Sequence, residues 1–239
     1  GDVYKRQIFP VIIKPPYRLR DWSKHTKLKG FVANSPQELM EHYEHIHNWA
    51  DSLIVQELIP GGDSNHFTCN CYYDRNGEPV VTFTSRKLRQ WRPKTGQACL
   101  SEEACNDTVV KETLRVFSST AYRGLGYLEM KRDDRTGEYF IIEPNIGRPT
   151  GRAATAEAAD VPLLYTMYCD AIGLPLPGNR QQKYTGVKWI HLLRDIQAAL
   201  YQWRHGELTI KEWFRSIRGV KAYAIFSWKD PLPFFAALS

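Results

Sequence analysis

The feature that most constrains the fold is a hairpin signature near the middle of the chain. Two apolar or aromatic runs, residues 127–131 and 139–143, flank the short polar segment DDRTG, which is typical of antiparallel strands joined by a tight turn. Glu129 lies within the first predicted strand, Glu143 ends the second, and Asn145 follows closely. Oxygen ligands on neighbouring strand ends suit a hard cation such as Mg²⁺ when phosphate oxygens or waters complete its coordination. The hairpin therefore predicts a site for magnesium and a nucleotide.

Glu143 has a simpler interpretation, because an acid beside a turn is most often a solvated surface charge. The preceding residues argue against it. Phe140, Ile141 and Ile142 form an apolar run, and this run predicts a buried strand. A carboxylate at the end of a buried strand is harder to explain as a surface charge, so Glu143 is retained as a candidate ligand.

Composition and charge narrow the class of protein. The 239 residues are 43% hydrophobic, which is enough for one large domain or two small ones. The formal net charge of +6 suits an anionic ligand, but the 32 basic residues are interleaved with 26 acidic ones, which favours phosphate over nucleic acid. Five cysteines without a CxxC pair indicate neither a disulfide framework nor a zinc site. With no apolar run of membrane-spanning length and no signal core, we expect a soluble, cytoplasmic protein without a membrane partner.

The acids around the hairpin also resemble those of a known family. Glu129, the hairpin and the segment Glu143-Pro-Asn145, followed by an arginine-bearing loop, are similar to the metal-binding core of the ATP-grasp superfamily. The branch they resemble contains carboxylate–amine ligase-like enzymes, near the D-aspartate ligase-like proteins. The resemblance implies an α+β fold in which two lobes grip ATP. It implies that Glu129, Glu143 and Asn145 bind one or two Mg²⁺ ions, or Mn²⁺ in their place, that bridge the ATP phosphates. It also implies that Arg148 or Arg152 faces the acyl phosphate or the substrate carboxylate.

The first predicted strand contributes a basic residue to the predicted nucleotide site. Lys14 ends the apolar run VII and precedes Pro15, and on its own it would be a solvated charge. The resemblance implies that Lys14 contacts the nucleotide phosphates and adenine as a point charge. Residues 17–30 then form a basic loop, where related enzymes often place a glycine-rich phosphate lid. This segment has almost no glycine, so either charged side chains bind the phosphates or the loop is a solvated surface.

Residues 52–63 predict a strand that runs into a glycine turn, and they match the ATP-grasp hinge that holds adenine between the lobes. The resemblance implies that four consecutive residues line the adenine slot: Gln56, Glu57, Leu58 and Ile59. Asp63 is then the acid that binds the ribose hydroxyls. Taken alone, Glu57 would be an ordinary charge at a strand end.

A second hairpin is predicted by an Asn-Gly turn between residues 66–73 and 79–85. Arg86, Lys87 and Arg89 follow its second strand. In the family, basic residues that emerge from this strand contact the transferred phosphate. Arg86 and Lys87 alternate in direction along an extended chain, so they cannot both point into the site. We take Arg86 and Arg89 as the predicted catalytic residues of this segment.

Caps and helical periodicity predict the remaining secondary structure. Helices are expected at residues 36–48 after Ser35, at 107–123 after Asn106 or Asp107, at 153–159, 163–172 and 190–204, and from about Thr209. The four tryptophans toward the end of the chain are expected to be packing anchors: Trp189, Trp203, Trp213 and Trp228.

The resemblance also implies a domain order. Residues 8–62 would form part of the small lobe, 63–179 the large lobe with the metal site, and 180–239 a helical C-terminal extension. Residues 1–7 have no periodicity and are treated as a leader of uncertain origin. Because the chain opens directly on a core strand, we expect that the pre-ATP-grasp domain and the first strand of the small lobe are absent, leaving an N-terminally truncated protein.

The combined pattern predicts an ATP-dependent ligase that joins a carboxylate to an amine or similar nucleophile. Mg-ATP would phosphorylate the carboxylate, and the nucleophile would attack the acyl phosphate. The partners would be small-molecule carboxylate and amine substrates, and an unpaired strand edge would permit an oligomer. Two alternatives stay open, namely a catalytically incomplete ATP- and Mg-binding module and a basic nucleic-acid-binding protein.

Overall fold

The computed structural model describes residues 8–17, 20–92, 96–147 and 153–237 of the chain. The chain divides into two compact units, an N-terminal unit that ends at Pro60 and a C-terminal unit that begins at Gly61. Each unit combines a β-sheet with helices, and the predicted α+β class is confirmed. In these described ranges, no helix has both the length and the hydrophobicity needed to cross a bilayer.

The N-terminal unit is a three-stranded antiparallel sheet packed against helices. Its elements are β1 (Val11–Lys14), α1 (Arg20–His25), β2 (Phe31–Ala33), α2 (Pro36–Ile46) and β3 (Ile54–Glu57). The central strand β1 pairs with β2 on one side and β3 on the other. Helix α2 begins where the sequence predicts, because Ser35 Oγ accepts a hydrogen bond from Glu38 N at 3.2 Å. It ends at Ile46, slightly earlier than expected, and a 3₁₀ turn follows.

The segment expected to be a basic loop contains the short helix α1. Trp22 on this helix is fully buried against β1 and α2, and its Nε1 donates a hydrogen bond to Leu28 O at 2.8 Å. A large apolar side chain fixed in this way ties the middle of the segment to the core. The expectation of an unstructured loop was therefore wrong for the described part of residues 17–30.

The C-terminal unit is built on a seven-stranded sheet. Its strands are β4 (His66–Tyr73), β5 (Pro79–Trp91), β6 (Gln97–Glu103), β7 (Gly124–Arg132), β8 (Tyr139–Ile146), β9 (Lys188–Ile190) and β10 (Lys221–Tyr223). They lie in the order β10-β9-β6-β5-β4-β7-β8, and every neighbouring pair is antiparallel except β9 and β10. Both predicted hairpins, β4-β5 and β7-β8, are confirmed by direct pairing.

The two faces of this sheet carry different residues. One face packs Phe67, Cys69 and Cys71 of β4 against α3 (Asp107–Ser118). Helix α3 begins at its predicted cap, where Asn106 Oδ1 accepts from Val109 N at 3.1 Å, and it ends at Ser118, earlier than expected. The opposite face carries Thr68 and Asn70 of β4 together with Tyr127 and Glu129 of β7, and we call it the Glu129 face. At one end this face is covered by α4 (Ala154–Ala158) and α5 (Leu163–Ile172).

Strand β8 lies at the edge of the sheet, and this position overturns one expectation. Phe140, Ile141 and Ile142 are 36%, 40% and 42% exposed, so the predicted buried strand was wrong. Glu143 does not end the strand either, because β8 continues to Ile146. An apolar run predicts burial only when the strand has neighbours on both sides, and β8 has only β7 in the described part of the chain.

The predicted C-terminal extension is joined to the sheet by buried polar contacts. It contains β9, β10, α6 (Leu192–Arg204), α7 (Ile210–Ser216) and α8 (Leu232–Ala236). The fully buried Asp195 of α6 accepts from Arg89 Nε of β5 at 2.8 Å and from Trp213 Nε1 of α7 at 2.9 Å. Of the four expected anchors, Trp189 is buried and Trp213 half-buried, but Trp203 and Trp228 are 52% and 86% exposed, so the packing prediction was wrong for those two.

Replacing Asp195 should destabilise this unit. The change Asp195→Asn leaves the guanidinium of Arg89 buried without its counter-charge, and breaking a buried pair in this way typically costs about 3 kcal/mol or more. The free energy of unfolding, measured by urea denaturation, should fall by that amount. Asp230→Asn, an exposed acid in the C-terminal tail, is the matched control and should unfold at the same urea concentration as the unmodified chain. Equal stability of the two variants would show that the buried pair contributes nothing.

Candidate functional site

The register of β7 and β8 places two carboxylates opposite one another. Glu129 pairs with Glu143 and Tyr127 pairs with Asn145, with no register shift between these two rows. Directly opposite residues of antiparallel strands have Cβ atoms about 4.5–5.5 Å apart and point to the same face. Glu129, Glu143 and Asn145 therefore share the Glu129 face. The structure brings together the three predicted metal ligands on two adjacent strands.

The chemistry of this donor set fits a hard divalent cation. Like charges directly opposite each other on paired strands destabilise a sheet, and a cation between them removes that cost. Asn145 Nδ2 is buried and has no hydrogen-bond partner among the described residues, so the fold leaves this amide nitrogen unsatisfied. Two carboxylates and an amide are oxygen donors of the kind that Mg²⁺ prefers. The described ranges contain no group of three His, Cys, Asp or Glu residues able to hold a metal by themselves, so further ligands would come from phosphate or water.

The basic residues of β5 point in different directions. Arg86 lies opposite Phe67 on the face covered by α3, and its Nε donates to Glu102 Oε1 at 2.7 Å. Lys87 lies on the Glu129 face, where its Nζ donates to Gln90 Oε1 at 3.0 Å. Arg89 forms a buried ion pair with Asp195. Lys87, rather than Arg86 or Arg89, therefore lies on the face that carries the acids. The pairing of β4 with β5 determines which side chains of β5 lie on which face.

Asp63 lies in a cluster of charges beside this face. It begins a 3₁₀ turn, and its Oδ2 accepts a hydrogen bond from Gln90 N at 3.0 Å. Burial raises the pKa of Asp63, and the nearby cations Lys87 and Lys131 oppose this effect. Burial lowers the pKa of Lys131, and Asp63 opposes that shift in turn. The sequence analysis missed Lys131, although its position two residues after Glu129 in the same strand places it on the same face.

The predicted nucleotide contacts of the N-terminal unit lie in or beside one sheet. Lys14 is half-buried at the end of β1 and pairs with Ile54. Gln56 and Glu57 belong to β3, and the next two candidates, Leu58 and Ile59, follow it as partly buried chain. Leu58 N donates to Pro10 O at 2.9 Å, which extends the pairing beyond the strand. Their roles stay predictions.

The two candidates that would face the substrate, Arg148 and Arg152, lie outside the described residues.

Comparisons with known proteins identify the fold. No family model matches the chain. A biotin carboxylase–β,γ-ATP complex from Campylobacter jejuni superposes with a TM-score of 0.55 at 16% identity, covering 75% of this chain and 41% of that one. An L-amino acid ligase from Bacillus licheniformis gives a TM-score of 0.50 at 12% identity, covering 77% of this chain and 44% of that one. The chain has the ATP-grasp fold. The predicted fold is thereby confirmed.

A curated relative extends the similarity to sequence. The chain is 25% identical to the D-aspartate ligase of Enterococcus faecium (strain Aus0004) in an alignment of 144 residues that covers 58% of this chain and 34% of that protein. The predicted resemblance to carboxylate–amine ligase-like proteins is confirmed by this match. The chain spans about a third of the length of this relative and less than half of the two solved chains. The proteins that it resembles are enzymes.

The raised pKa of Asp63 predicts a pH-dependent stability. A carboxyl group whose folded pKa is raised contributes most stability below its unfolded pKa of about 3.9, and this contribution is lost as pH rises through the folded pKa. Asp63→Asn removes that titration. Urea unfolding at several pH values should therefore show the variant gaining stability relative to the unmodified chain as pH rises from about 4 to about 7.

A matched acid gives the control of opposite sign. Hydrogen bonds from the backbone N–H groups of Glu78 and Asn76 lower the pKa of Asp74. Its contribution is present above the unfolded pKa and lost as pH falls, so Asp74→Asn should lose stability relative to the unmodified chain over the same rise in pH. A pH-independent difference for Asp63→Asn would contradict the assigned burial of Asp63.

Proposed function

We propose that this chain is part of an ATP-dependent ligase that joins a carboxylate to an amine or similar nucleophile. The observation that carries the proposal is the pair Glu129 and Glu143, held opposite each other on one face of the sheet beside Asn145, in a chain with the ATP-grasp fold. The similarity to a D-aspartate ligase and to an L-amino acid ligase supports this class of reaction. The cations Lys87 and Lys131 on the same face would also suit a ligand that carries phosphate groups.

Glu129, Glu143 and Asn145 would hold Mg²⁺ together with the ATP phosphates. When bound, the cation would neutralise phosphate charge during an in-line phosphoryl transfer. Among solved structures with this fold, one is described as a complex with ADP and MgADP, that of a 2-oxoglutarate carboxylase biotin carboxylase domain from Hydrogenobacter thermophilus. The opposed carboxylates supply the charge that makes a divalent cation preferable to a monovalent one.

The remaining side chains would orient the nucleotide and the transferred phosphoryl group. Lys87 would bind this phosphoryl group, since it lies on the Glu129 face and keeps its orientation through Gln90. Asp63 would bind the ribose hydroxyls, while Lys14 would bind the phosphates. The adenine would lie against the hinge residues Gln56 to Ile59, and Arg148 or Arg152 would bind the carboxylate substrate. The phosphorylated carboxylate would then be an acyl phosphate. The amine would attack its carbonyl carbon, form the amide with loss of a proton and displace inorganic phosphate, without any covalent enzyme intermediate.

Calorimetric titration of Mg-ATP tests the nucleotide site. Binding should depend on magnesium and disappear with EDTA. Glu143→Gln should weaken it by about tenfold or more, equivalent to about 1.4 kcal/mol, because one charged ligand is lost. Glu138→Gln is the matched control, since Glu138 is exposed on the same hairpin and its backbone, not its side chain, makes the turn contact. Equal affinities of the two variants, with both folded, would contradict the metal site.

A second measurement distinguishes a ligase from an ATP-binding module without catalysis. Release of ADP should depend on an added carboxylate, and a panel of amino acids with hydroxylamine as the nucleophile would trap the acyl phosphate as a hydroxamate. Magnesium-dependent binding without carboxylate-dependent ADP release would favour the binding module. Neither outcome depends on knowing the natural amine.

A further inference from the structure

Buried polar side chains without hydrogen-bond partners cluster on the Glu129 face. In the described part of the chain, both amide atoms of Asn70 and the hydroxyls of Ser85 and Ser101 lack a partner. These three residues are at most 1% exposed and come from three neighbouring strands, β4, β5 and β6. Thr155 Oγ1 lacks a partner in the same way, and it belongs to α4, which packs over β6 and β9. We call these four residues the polar band.

Strand register makes the polar band a continuous diagonal. Asn70 lies opposite Phe83, two residues before Ser85, and Ser101 lies opposite Lys87, two residues after Ser85. Diagonal neighbours on paired antiparallel strands are about 7–8 Å apart, which is within the span of one small ligand group bridging them. Asn70 also shares a row with Asn145, across Tyr127. The band therefore leads to the proposed metal site.

The charged side chains in the same rows each make a hydrogen bond within the fold, unlike the side chains of the band in the described ranges. Lys87 Nζ donates to Gln90 Oε1 at 3.0 Å. Glu103, which lies opposite Ser85, accepts from Gly186 N at 2.9 Å and from Thr185 Oγ1 at 3.0 Å. The polar band itself consists of one amide and three hydroxyls, which are uncharged groups that both donate and accept hydrogen bonds.

Unsatisfied groups of this kind are rare in folded proteins, and a concentration of them needs an explanation. Thr84 Oγ1, on the opposite face of the sheet, also lacks a partner in the described ranges, but the hydroxyl of Thr113 is satisfied, since its Oγ1 donates to Val109 O at 2.7 Å. Thr113 is fully buried on a helix, as is Thr155. The difference between the two threonines is that only Thr155 belongs to a helix that packs over the Glu129 face.

We propose that the polar band binds an amide group, a carboxamide or a peptide unit, of the substrate that is joined at the neighbouring site. An amide carries both a donor and an acceptor without charge, which matches the mixed and neutral groups of the band. Its role as part of a substrate rests on the proposed function, whereas the existence of the amide site does not. The band is then a determinant of specificity rather than of phosphoryl transfer.

Two isosteric variants test whether the band hydroxyls serve the fold. Thr113→Val removes a hydroxyl that the helix uses, so its melting temperature should fall. Thr155→Val removes a hydroxyl that has no partner in the described ranges, so the melting temperature of this variant should equal or exceed that of the unmodified chain. If Thr155→Val lowers the melting temperature as much as Thr113→Val does, an ordered water or the fold itself satisfies this hydroxyl, and the proposal is overturned.

Titration with acetamide tests the amide site directly. The side-chain amide resonances of Asn70 in ¹H–¹⁵N spectra should shift in a saturable way with acetamide, and acetate, its charged isostere, should not reproduce the shift. Ser85→Ala should weaken the acetamide effect by about fivefold, the loss expected for one hydrogen bond, and Thr113→Val should not change it. No saturable shift, or an equal response to acetate, would overturn the amide site.

Addition of Mg-ATP to the same samples separates the two proposals. Acetamide binding without Mg-ATP binding would leave the amide site and reject the ligase. Mg-ATP binding without acetamide binding would reject only the polar band.

Discussion

The candidate site depends on the register of β7 and β8, which places two carboxylates opposite one another. Glu129 and Glu143 are opposite one another only in this register, and a shift of one residue would send one of them to the other face. The register is fixed at both ends of the hairpin. At the turn, Gly137 N donates to Asp133 O at 2.8 Å, and at the open end Gly147 N donates to Leu125 O at 2.8 Å. Packing and backbone hydrogen bonds remote from the acids thus hold two like charges together.

The close approach of the Gly126 backbone to the Phe117 ring supports the same register of β7 and β8. Gly126 pairs with Ile146, and a Cβ on Gly126 would lie 2.8 Å from the Phe117 ring of α3. A larger residue there would push β7 away from the helix. The candidate site is consequently coupled to the apolar core on the opposite face of the sheet, through the strand that carries Glu129 on one side and contacts Phe117 on the other.

One contact of the C-terminal extension with β5 bears directly on the charged cluster of the site. Arg89 is held by Asp195 and Ser216, and strand β5 has register shifts on both sides of Arg89. The next residue, Gln90, uses its backbone N–H for Asp63 and its side-chain oxygen for Lys87. The extension therefore fixes the irregular stretch of β5 from which two charged groups of the site are oriented.

Local signals in the sequence were sufficient for the elements but not for their surroundings. The hairpins and the caps at Ser35 and Asn106 were predictable, because a turn or a cap depends on residues within a few positions. The exposure of Ile141 was not predictable from the sequence, because it depends on which strands lie beside β8. The faces of Arg86 and Lys87 were not predictable for a related reason: alternation shows that they differ, but only the pairing of β4 with β5 shows which one lies on the face of the acids.

The buried polar groups of the C-terminal unit differ in how far the fold itself satisfies them. Asp195 and Glu103 are buried, and each accepts several hydrogen bonds that attach the extension to the sheet. On the Glu129 face, by contrast, opposed carboxylates coexist with buried hydroxyls and amides that have no partner in the described ranges, each at a cost of about 1–3 kcal/mol. A fold that satisfies its buried carboxylates in this way has no physical need to concentrate unsatisfied amides and hydroxyls on one face. The imbalance would be explained if a cation and a polar ligand bind to this face, because binding would then offset the free-energy cost of these groups.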